Sequence, residues 1–146
     1  MLSRLAAAFF LIAGQAAGDD QDERLLALTR YLETVGSPLV SVAGEFVAAA
    51  DRFELDWRLL PALAIVETAA GKSARGHNLF GWGRRRFDSP RDAIWHVAGE
   101  LAGAAPYRGK STREKLIAFN PRHARRFPAK IEKVMGELGP PPAAIH

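Results

Sequence analysis

The sequence predicts a mainly α fold, and three features of the 146-residue chain support that prediction. Apolar residues recur at helical spacing in several separate stretches, for example in 20–35. Helix-start signals precede two of these stretches: Ser89-Pro90 puts proline at a first helical position, and Ser111 with Glu114 forms a capping box. Glycine and proline separate the stretches. We therefore expect one domain of short helices around a single core.

Six helices are expected in order, followed by a short tail. Gly36 and Pro38 break the chain after the first helix, Ser37 is suited to cap the second, and Asp56 to cap the third. Gly71 suits a left-handed helix end. The expected helical ranges are 20–35, 38–53, 57–69, 90–103, 112–119 and 129–138. The segment 78–87 has no helical period, and its glycines indicate a tight hairpin or an irregular crossing beneath a cleft.

Glu67 is the unusual residue of the third helix. Apart from Thr68, every other residue between Leu59 and Ala70 is apolar. A carboxyl group in such surroundings loses hydration, and the nearby negative end of the helix dipole also disfavours its charged form. Both effects raise its pKa, and a carboxylic acid kept protonated near neutrality can act as a general acid. The alternative is that Glu67 simply points to solvent from a partly buried helix.

The residues around Glu67 carry a family resemblance. Glu67-Thr68-Ala69-Ala70-Gly71-Lys72-Ser73, followed by Asn78-Leu79-Phe80-Gly81-Trp82-Gly83, resembles the glucosaminidase branch of the lysozyme-like superfamily. That branch includes glycoside hydrolase family 73 and bacterial autolysins that cleave peptidoglycan. The similarity extends from about Pro38 to Leu138. It implies a lysozyme-like helical domain with a reduced β-hairpin lobe, in which Glu67 takes the role of the catalytic acid.

The resemblance also suggests where substrate is bound. Tyr107 matches a tyrosine that lines the cleft in many relatives, although it can equally be a half-buried structural residue. Asn78 and His77 can bond the acetamido or hydroxyl groups of a sugar, and Asn78 can instead close its own turn. Trp82 can stack on a sugar ring, whereas Phe80 is expected in the core.

The chain departs from the family pattern in one respect that bears on mechanism. The lobe that supplies a second carboxylate in relatives is shortened here to about 83–87, and the next acid, Asp88, adjoins a helix start. A nucleophile or general base is therefore in doubt. Substrates with a 2-acetamido group can supply their own nucleophile, and lytic transglycosylases use an internal sugar hydroxyl. Hydrolysis and transglycosylation both remain open, as does the identity of the bond.

The N-terminus predicts export to the periplasm or the exterior. Arg4, an apolar run over 5–13 and small residues before Asp19 match a secretory signal peptide at 1–18. A lysozyme-like domain is then expected over 19–139 and a disordered tail over 140–146. After signal cleavage we expect no membrane insertion.

Charge and composition narrow the partners. The chain carries a net charge of +4, distributed as −5 over 1–56 and +9 over 57–146, which favours an anionic partner. With an export signal, that partner is peptidoglycan rather than nucleic acid. The arginines 84–86 are expected to form a solvated turn. There is no cysteine, and the four histidines share no ligand spacing, so neither a metal site nor a cofactor is expected.

These features leave two main functions. The first is a monomeric enzyme that cleaves β-1,4 bonds of peptidoglycan with Glu67 as general acid, as a glucosaminidase, muramidase or lytic transglycosylase. The second is a non-catalytic lysozyme-fold module that binds the cell wall or a secretion assembly. Retention of Glu67 with its glycine-lysine turn favours the first, and the shortened lobe favours the second.

Overall fold

A computed structural model describes residues 23–143. The predicted signal peptide, 1–18, and the last three residues of the predicted tail lie outside the described residues. Helix α1 runs from residue 23, the first described, to residue 34. The other α-helices in the described part are α2 (Ala43–Arg52), α3 (Leu59–Thr68), α4 (Pro90–Gly103), α5 (Thr112–Phe119) and α6 (Arg126–Leu138). Short 3₁₀ turns lie at Val40–Val42 and Pro121–His123.

The mainly α prediction is confirmed, whereas residues 23–143 contain no β-strand and thus no β-hairpin. In the segment expected to form that hairpin, Gly81 and Gly83 have positive φ angles of 59° and 58°. The amide and carbonyl of Trp82 bond to the side chain of Asn78 instead of a facing strand. The segment is an irregular crossing, the other form that the sequence allowed.

Three helix starts differ from the prediction. The sixth helix begins at Arg126 instead of residue 129. The second helix begins as a 3₁₀ turn at Val40 and becomes α-helical only at Ala43. Ser37 does not cap α2 itself. Its hydroxyl accepts from the Leu39 amide at 3.0 Å, in the turn that leads into Val40–Val42. The third helix begins at Leu59, and no side chain caps it. The carboxylate of Asp56 instead accepts hydrogen bonds from the backbone amide and the guanidinium of Arg58.

The core is centred on α3. Its leucines 59, 60 and 63 are at most 1% exposed, and the helix packs mainly against α6. Helix α2 packs against α4, while α5 packs against α6. Phe80 is fully buried and meets Phe46 edge-on, as its predicted core role requires. This arrangement holds the C-terminal end of α3 rigidly beside the irregular segment.

The end of α3 depends on Gly71, which has a φ angle of 85°. A methyl group there would lie 2.9 Å from Cγ of Leu39, a buried side chain. Gly109 has a similar φ angle, 73°, but no atom within 4 Å of the corresponding position. The pair therefore separates backbone strain from crowding.

We expect Gly71→Ala to lower the free energy of unfolding by about 2–4 kcal/mol, from left-handed strain and overpacking together. Gly109→Ala should cost only about 1 kcal/mol, since it introduces strain alone. Urea unfolding of both variants measures the difference. Equal losses would show that the contact with Leu39 is not restrictive.

Candidate active site

Glu67 is the penultimate residue of α3, and its side chain is exposed. The alternative interpretation, in which Glu67 faces solvent, is thus correct about the exposure of its side chain. The surrounding protein nevertheless removes enough water to raise the pKa of Glu67 above its ordinary value, while the positive charge of Lys130 acts in the opposite direction. Glu67 is consequently a solvent-accessible carboxyl group with an increased tendency to hold its proton.

The next residue, Thr68, ties the end of α3 to the irregular segment. Its buried hydroxyl donates to the Leu79 carbonyl at 2.7 Å and accepts from the Gly71 amide at 3.1 Å. One side chain therefore fixes both the turn after the helix and the strip of backbone that crosses beside Glu67.

The turn after Thr68 is left-handed for three successive residues. Ala69 and Ala70 have φ angles of 51° and 58°, followed by Gly71. For alanine this conformation costs on the order of 1 kcal/mol per residue. The Ser37 hydroxyl holds the turn by donating to the Ala70 carbonyl at 2.7 Å. The sequence predicted a left-handed end at Gly71 but not at the two alanines.

Asn78 shapes the crossing segment from beneath. Its Oδ1 accepts from the Trp82 amide at 2.8 Å, and its Nδ2 donates to the Trp82 carbonyl at 3.3 Å. The side chain is only 9% exposed. Asn78 therefore closes the loop through its side chain and positions Trp82.

Glu67 lies against this loop at Gly81. A methyl group on Gly81 would be 3.3 Å from Oε2 of Glu67, so glycine leaves space beside the carboxyl group. Glu67 also lines a pocket of about 330 Å³, which we call the acid pocket. Glu67 is the only acid among its described lining residues, which are Val66, Glu67, Asn120, His123, Arg126, Phe127 and Lys130.

An aromatic row continues from the acid pocket. Phe127 stacks on Phe119 with ring centres 5.6 Å apart, Phe119 contacts Trp82 at 5.7 Å, and Trp82 contacts Tyr107 at 5.9 Å. Trp82, Tyr107 and Phe119 are partly exposed. Together with Gly81 and Gly83 they line a second pocket of about 210 Å³, the aromatic pocket. Glu67 and the aromatic pocket thus share Gly81 as a neighbour.

Tyr107 is held in place by a buried lysine on α5. Nζ of Lys115 donates to the carbonyls of Leu101 at 2.5 Å and Tyr107 at 3.1 Å. Burial lowers the pKa of Lys115. Burial, with a smaller effect from Glu100, raises the pKa of Tyr107, which keeps its phenol protonated.

The structure brings together three of the five residues predicted for the site: Glu67, Trp82 and Tyr107. Asn78 lies under the loop, and His77 is exposed with a φ angle of 57° and lines neither the acid pocket nor the aromatic pocket. Asp88 also lies outside both pockets, and Ser89 rather than Asp88 caps α4.

Sequence reasoning missed Thr68, Lys115 and Phe119 as residues that build the site. Thr68 could have been noticed as the only polar neighbour of Glu67 within an apolar helix. The burial of Lys115 had no local signal, since a lysine on a short helix is ordinarily exposed. An apolar residue such as Phe119 on a short helix indicates only a core-facing position.

The described residues contain neither a cluster suited to a metal ion nor a membrane-spanning helix. Within 23–143, no cluster of three or more acidic or histidine side chains could hold a metal ion. None of the helices in that range is both long and apolar enough to cross a bilayer. A further pocket of about 350 Å³ lies between α1, Trp57 and the segment 140–143, and includes none of the predicted site residues.

No family model, curated protein or solved structure matches this chain.

The hydrogen bonds of Thr68 give a stability prediction. Thr68→Val keeps the shape but leaves the Gly71 amide and Leu79 carbonyl without their partner, so the free energy of unfolding should fall by about 1–3 kcal/mol. Thr34→Val is the matched control, because its exposed hydroxyl bonds only a carbonyl of its own helix, and should change stability by less than about 0.5 kcal/mol. Chemical denaturation followed by circular dichroism measures both. Similar small changes would mean that Thr68 does not secure the turn.

Proposed function

We propose that the chain cleaves β-1,4-glycosidic bonds in the glycan strands of peptidoglycan, with Glu67 as general acid. One observation carries the proposal: Glu67 is solvent-accessible, has a raised pKa, lines a pocket without another acid and lies beside Gly81, which lines a pocket of partly exposed aromatic rings. This is what protonation of a leaving sugar oxygen needs. The resemblance of the segments 67–73 and 78–83 to peptidoglycan-cleaving glucosaminidases supports the substrate class.

The chemistry follows from the protonation state. An alkoxide is a poor leaving group, so the glycosidic oxygen must receive a proton as its bond to carbon breaks. Glu67 donates that proton from its carboxylic acid form. Since no second acid lines the acid pocket or the aromatic pocket among the described residues, the nucleophile comes from the substrate. The 2-acetamido oxygen can attack the anomeric carbon to form a cyclic oxazolinium ion, which water then opens to complete hydrolysis. Alternatively, an internal sugar hydroxyl attacks that carbon and passes its proton to the Glu67 carboxylate left by the first proton transfer, which completes transglycosylation.

The aromatic pocket is suited to orient the sugar. Trp82 and Tyr107 present ring faces beside the Gly81 backbone, and a pyranose has apolar C–H faces that pack on aromatic rings. Asn78 fixes the loop that carries Trp82, and Lys115 holds the backbone of Tyr107, so both residues are already positioned before substrate arrives. Pre-positioned binding groups reduce the ordering cost of reaching a reactive geometry.

The second candidate is a non-catalytic module that binds the wall or a secretion assembly. The exposure of Glu67 and the absence of another acid from the two pockets favour it. The predicted signal peptide suits both candidates, as each acts in the periplasm or outside the cell as a monomer. The two differ in turnover and not in binding.

Replacement of the carboxyl group tests the catalytic proposal. Glu67→Gln keeps the shape and the ability to hydrogen-bond but cannot act as a carboxylic acid, so cleavage should fall on the order of a hundredfold to ten-thousandfold. Purified peptidoglycan is digested and the fragments are weighed by mass spectrometry, which also separates reducing ends from anhydro ends. Circular dichroism checks folding.

Two results would remove Glu67 from this role. A folded Glu67→Gln variant with unchanged activity would exclude it as the acid. If the wild type binds peptidoglycan yet releases no fragments, the non-catalytic candidate is correct.

The pH dependence of cleavage gives a further prediction. Activity requires protonated Glu67, so the rate should decline as pH rises through its raised pKa. Lys130 lowers that pKa, and therefore Lys130→Gln should raise it and move the decline to higher pH. Lys133→Gln is the control. This substitution removes one positive charge from the same helix, α6, but Lys133 does not line the acid pocket. Rates across a pH series are compared by the position of the decline, which is independent of any loss of binding. A decline at the same pH in all three proteins would contradict the assignment.

A further inference from the structure

A third pocket adjoins the site and is lined by arginines. Its volume is about 340 Å³, and we call it the arginine pocket. It shares Gly81, the residue beside the Glu67 carboxyl group, and Gly83 with the aromatic pocket. Its lining residues are Thr68, Ser73, Ala74, Arg75, Asn78, Gly81, Gly83, Arg84, Arg85 and Arg86. Four arginines thus line one pocket, and none of its described lining residues is acidic.

None of these four arginines has an ionic partner among residues 23–143. The ion pairs of that range involve Arg24, Arg58, Arg91, Arg113 and His96, each joined to an acid outside the three pockets. Arg75, Arg84 and Arg86 make no ion pair or side-chain hydrogen bond there. Like charges held together without partners repel each other, which leaves a strong local preference for an anion.

The backbone fixes where the arginine run lies. The Phe87 amide donates to the Gly76 carbonyl at 2.8 Å, so the chain returns alongside residues 75–76. A methyl group on Gly76 would lie 2.9 Å from Cγ of Arg86, and the Arg86 side chain therefore crosses directly over that glycine. Arg85 is held separately, with its guanidinium 2.7 Å from Nε2 of His96 and over the ring of Phe87. Arg85 and Arg86 are consequently held against other parts of the fold, while Arg84, Arg85 and Arg86 all remain exposed, in agreement with the predicted solvated turn.

We propose that the arginine pocket is a subsite for a carboxylate carried as a substituent on the glycan strand, such as the lactyl or peptide carboxylates of muramic acid. This inference rests on the proposed function and specifies its substrate: strands that bear carboxylates are preferred over neutral amino-sugar polymers. Arg75, Arg84 and Arg86 bind the carboxylate through charge-assisted hydrogen bonds, while uncharged sugar rings occupy the aromatic pocket.

The layout of charge favours such a glycan over nucleic acid. A nucleic acid carries a phosphate at every residue, so a strand crossing Gly81 would bring phosphates next to the carboxyl group of Glu67. A peptidoglycan strand places its carboxylates on side branches and neutral sugars along its axis. The arginine pocket supplies cations for such branches, and the aromatic rings beside Gly81 suit the neutral sugars.

The test measures binding in a Glu67→Gln background, so that turnover does not change the ligand. Three ligands are compared: peptidoglycan strands, the same strands with their carboxyl groups converted to methylamides, and neutral chitin oligosaccharides. We expect the protein to bind native strands at least about tenfold more tightly than amidated strands, which corresponds to about 1.4 kcal/mol. Replacement of Arg75, Arg84 and Arg86 by glutamine should abolish that preference and leave binding to amidated strands and chitin unchanged.

A matched control removes the same number of charges elsewhere. Arg30, Arg52 and Lys133 are exposed and line none of the three pockets, so their triple glutamine variant should keep the preference for native strands. Since Arg86 packs over Gly76, the double variant Arg75→Gln/Arg84→Gln serves if the triple variant unfolds. It should lose most of the preference.

The outcomes separate this inference from the function on which it rests. Failure of the protein to bind any of the glycans overturns the proposed function and the subsite together. Binding to native strands that is unaffected by the pocket variants, or equally reduced by the control variant, overturns the subsite alone. Loss of single-stranded DNA binding in the pocket variants with glycan binding intact would also overturn it and assign the pocket to nucleic acid.

Discussion

The hydroxyl of Thr68 is the contact on which the rest of the site depends. It joins the last turn of α3 to the Leu79 carbonyl and the Gly71 amide, and so connects segments 11 residues apart through one atom. Because Thr68 directly follows Glu67, the same bond holds the backbone of the crossing segment next to the helix end that carries the carboxyl group. Helix α3 is buried in the core, and the Thr68 hydroxyl attaches the crossing segment to its end.

The conformation that this bond holds is costly in isolation. Ala69 and Ala70 both adopt left-handed angles that L-residues with a Cβ avoid, and strain of this kind persists only where surrounding structure determines it. Here the Ser37 hydroxyl bonds the Ala70 carbonyl, and Leu39 packs against Gly71. The segment before α2 therefore stabilises the end of α3, although the two are more than 30 residues apart in sequence.

Local patterns predicted the parts of this molecule that depend on local physics. The complete capping box at Ser111 and Glu114 formed, and so did the helices that apolar spacing indicated. The raised pKa of Glu67 also followed from its immediate neighbours. The β-hairpin prediction failed because the Asn78 side chain bonds the Trp82 backbone and replaces pairing between strands. The place of Lys115 beneath Tyr107 depends on carbonyls from two other segments, which no local pattern reveals.

Positive charge around the site is compatible with a raised pKa at Glu67. Desolvation, which raises that pKa, and the charges of surrounding cations, which lower it, act over different distances. Desolvation depends on the atoms that directly displace water from the carboxyl group, and it is the dominant effect on Glu67. Charges at the surface act through water and salt, where they are screened over about 8–10 Å. Among the charged groups, Lys130 is the one whose charge opposes the raised pKa of Glu67. A surface can therefore be cationic enough to attract an anionic polymer while the acid at its centre remains disposed to hold a proton. In the proposed enzyme, that separation allows binding and proton donation to be set by different residues.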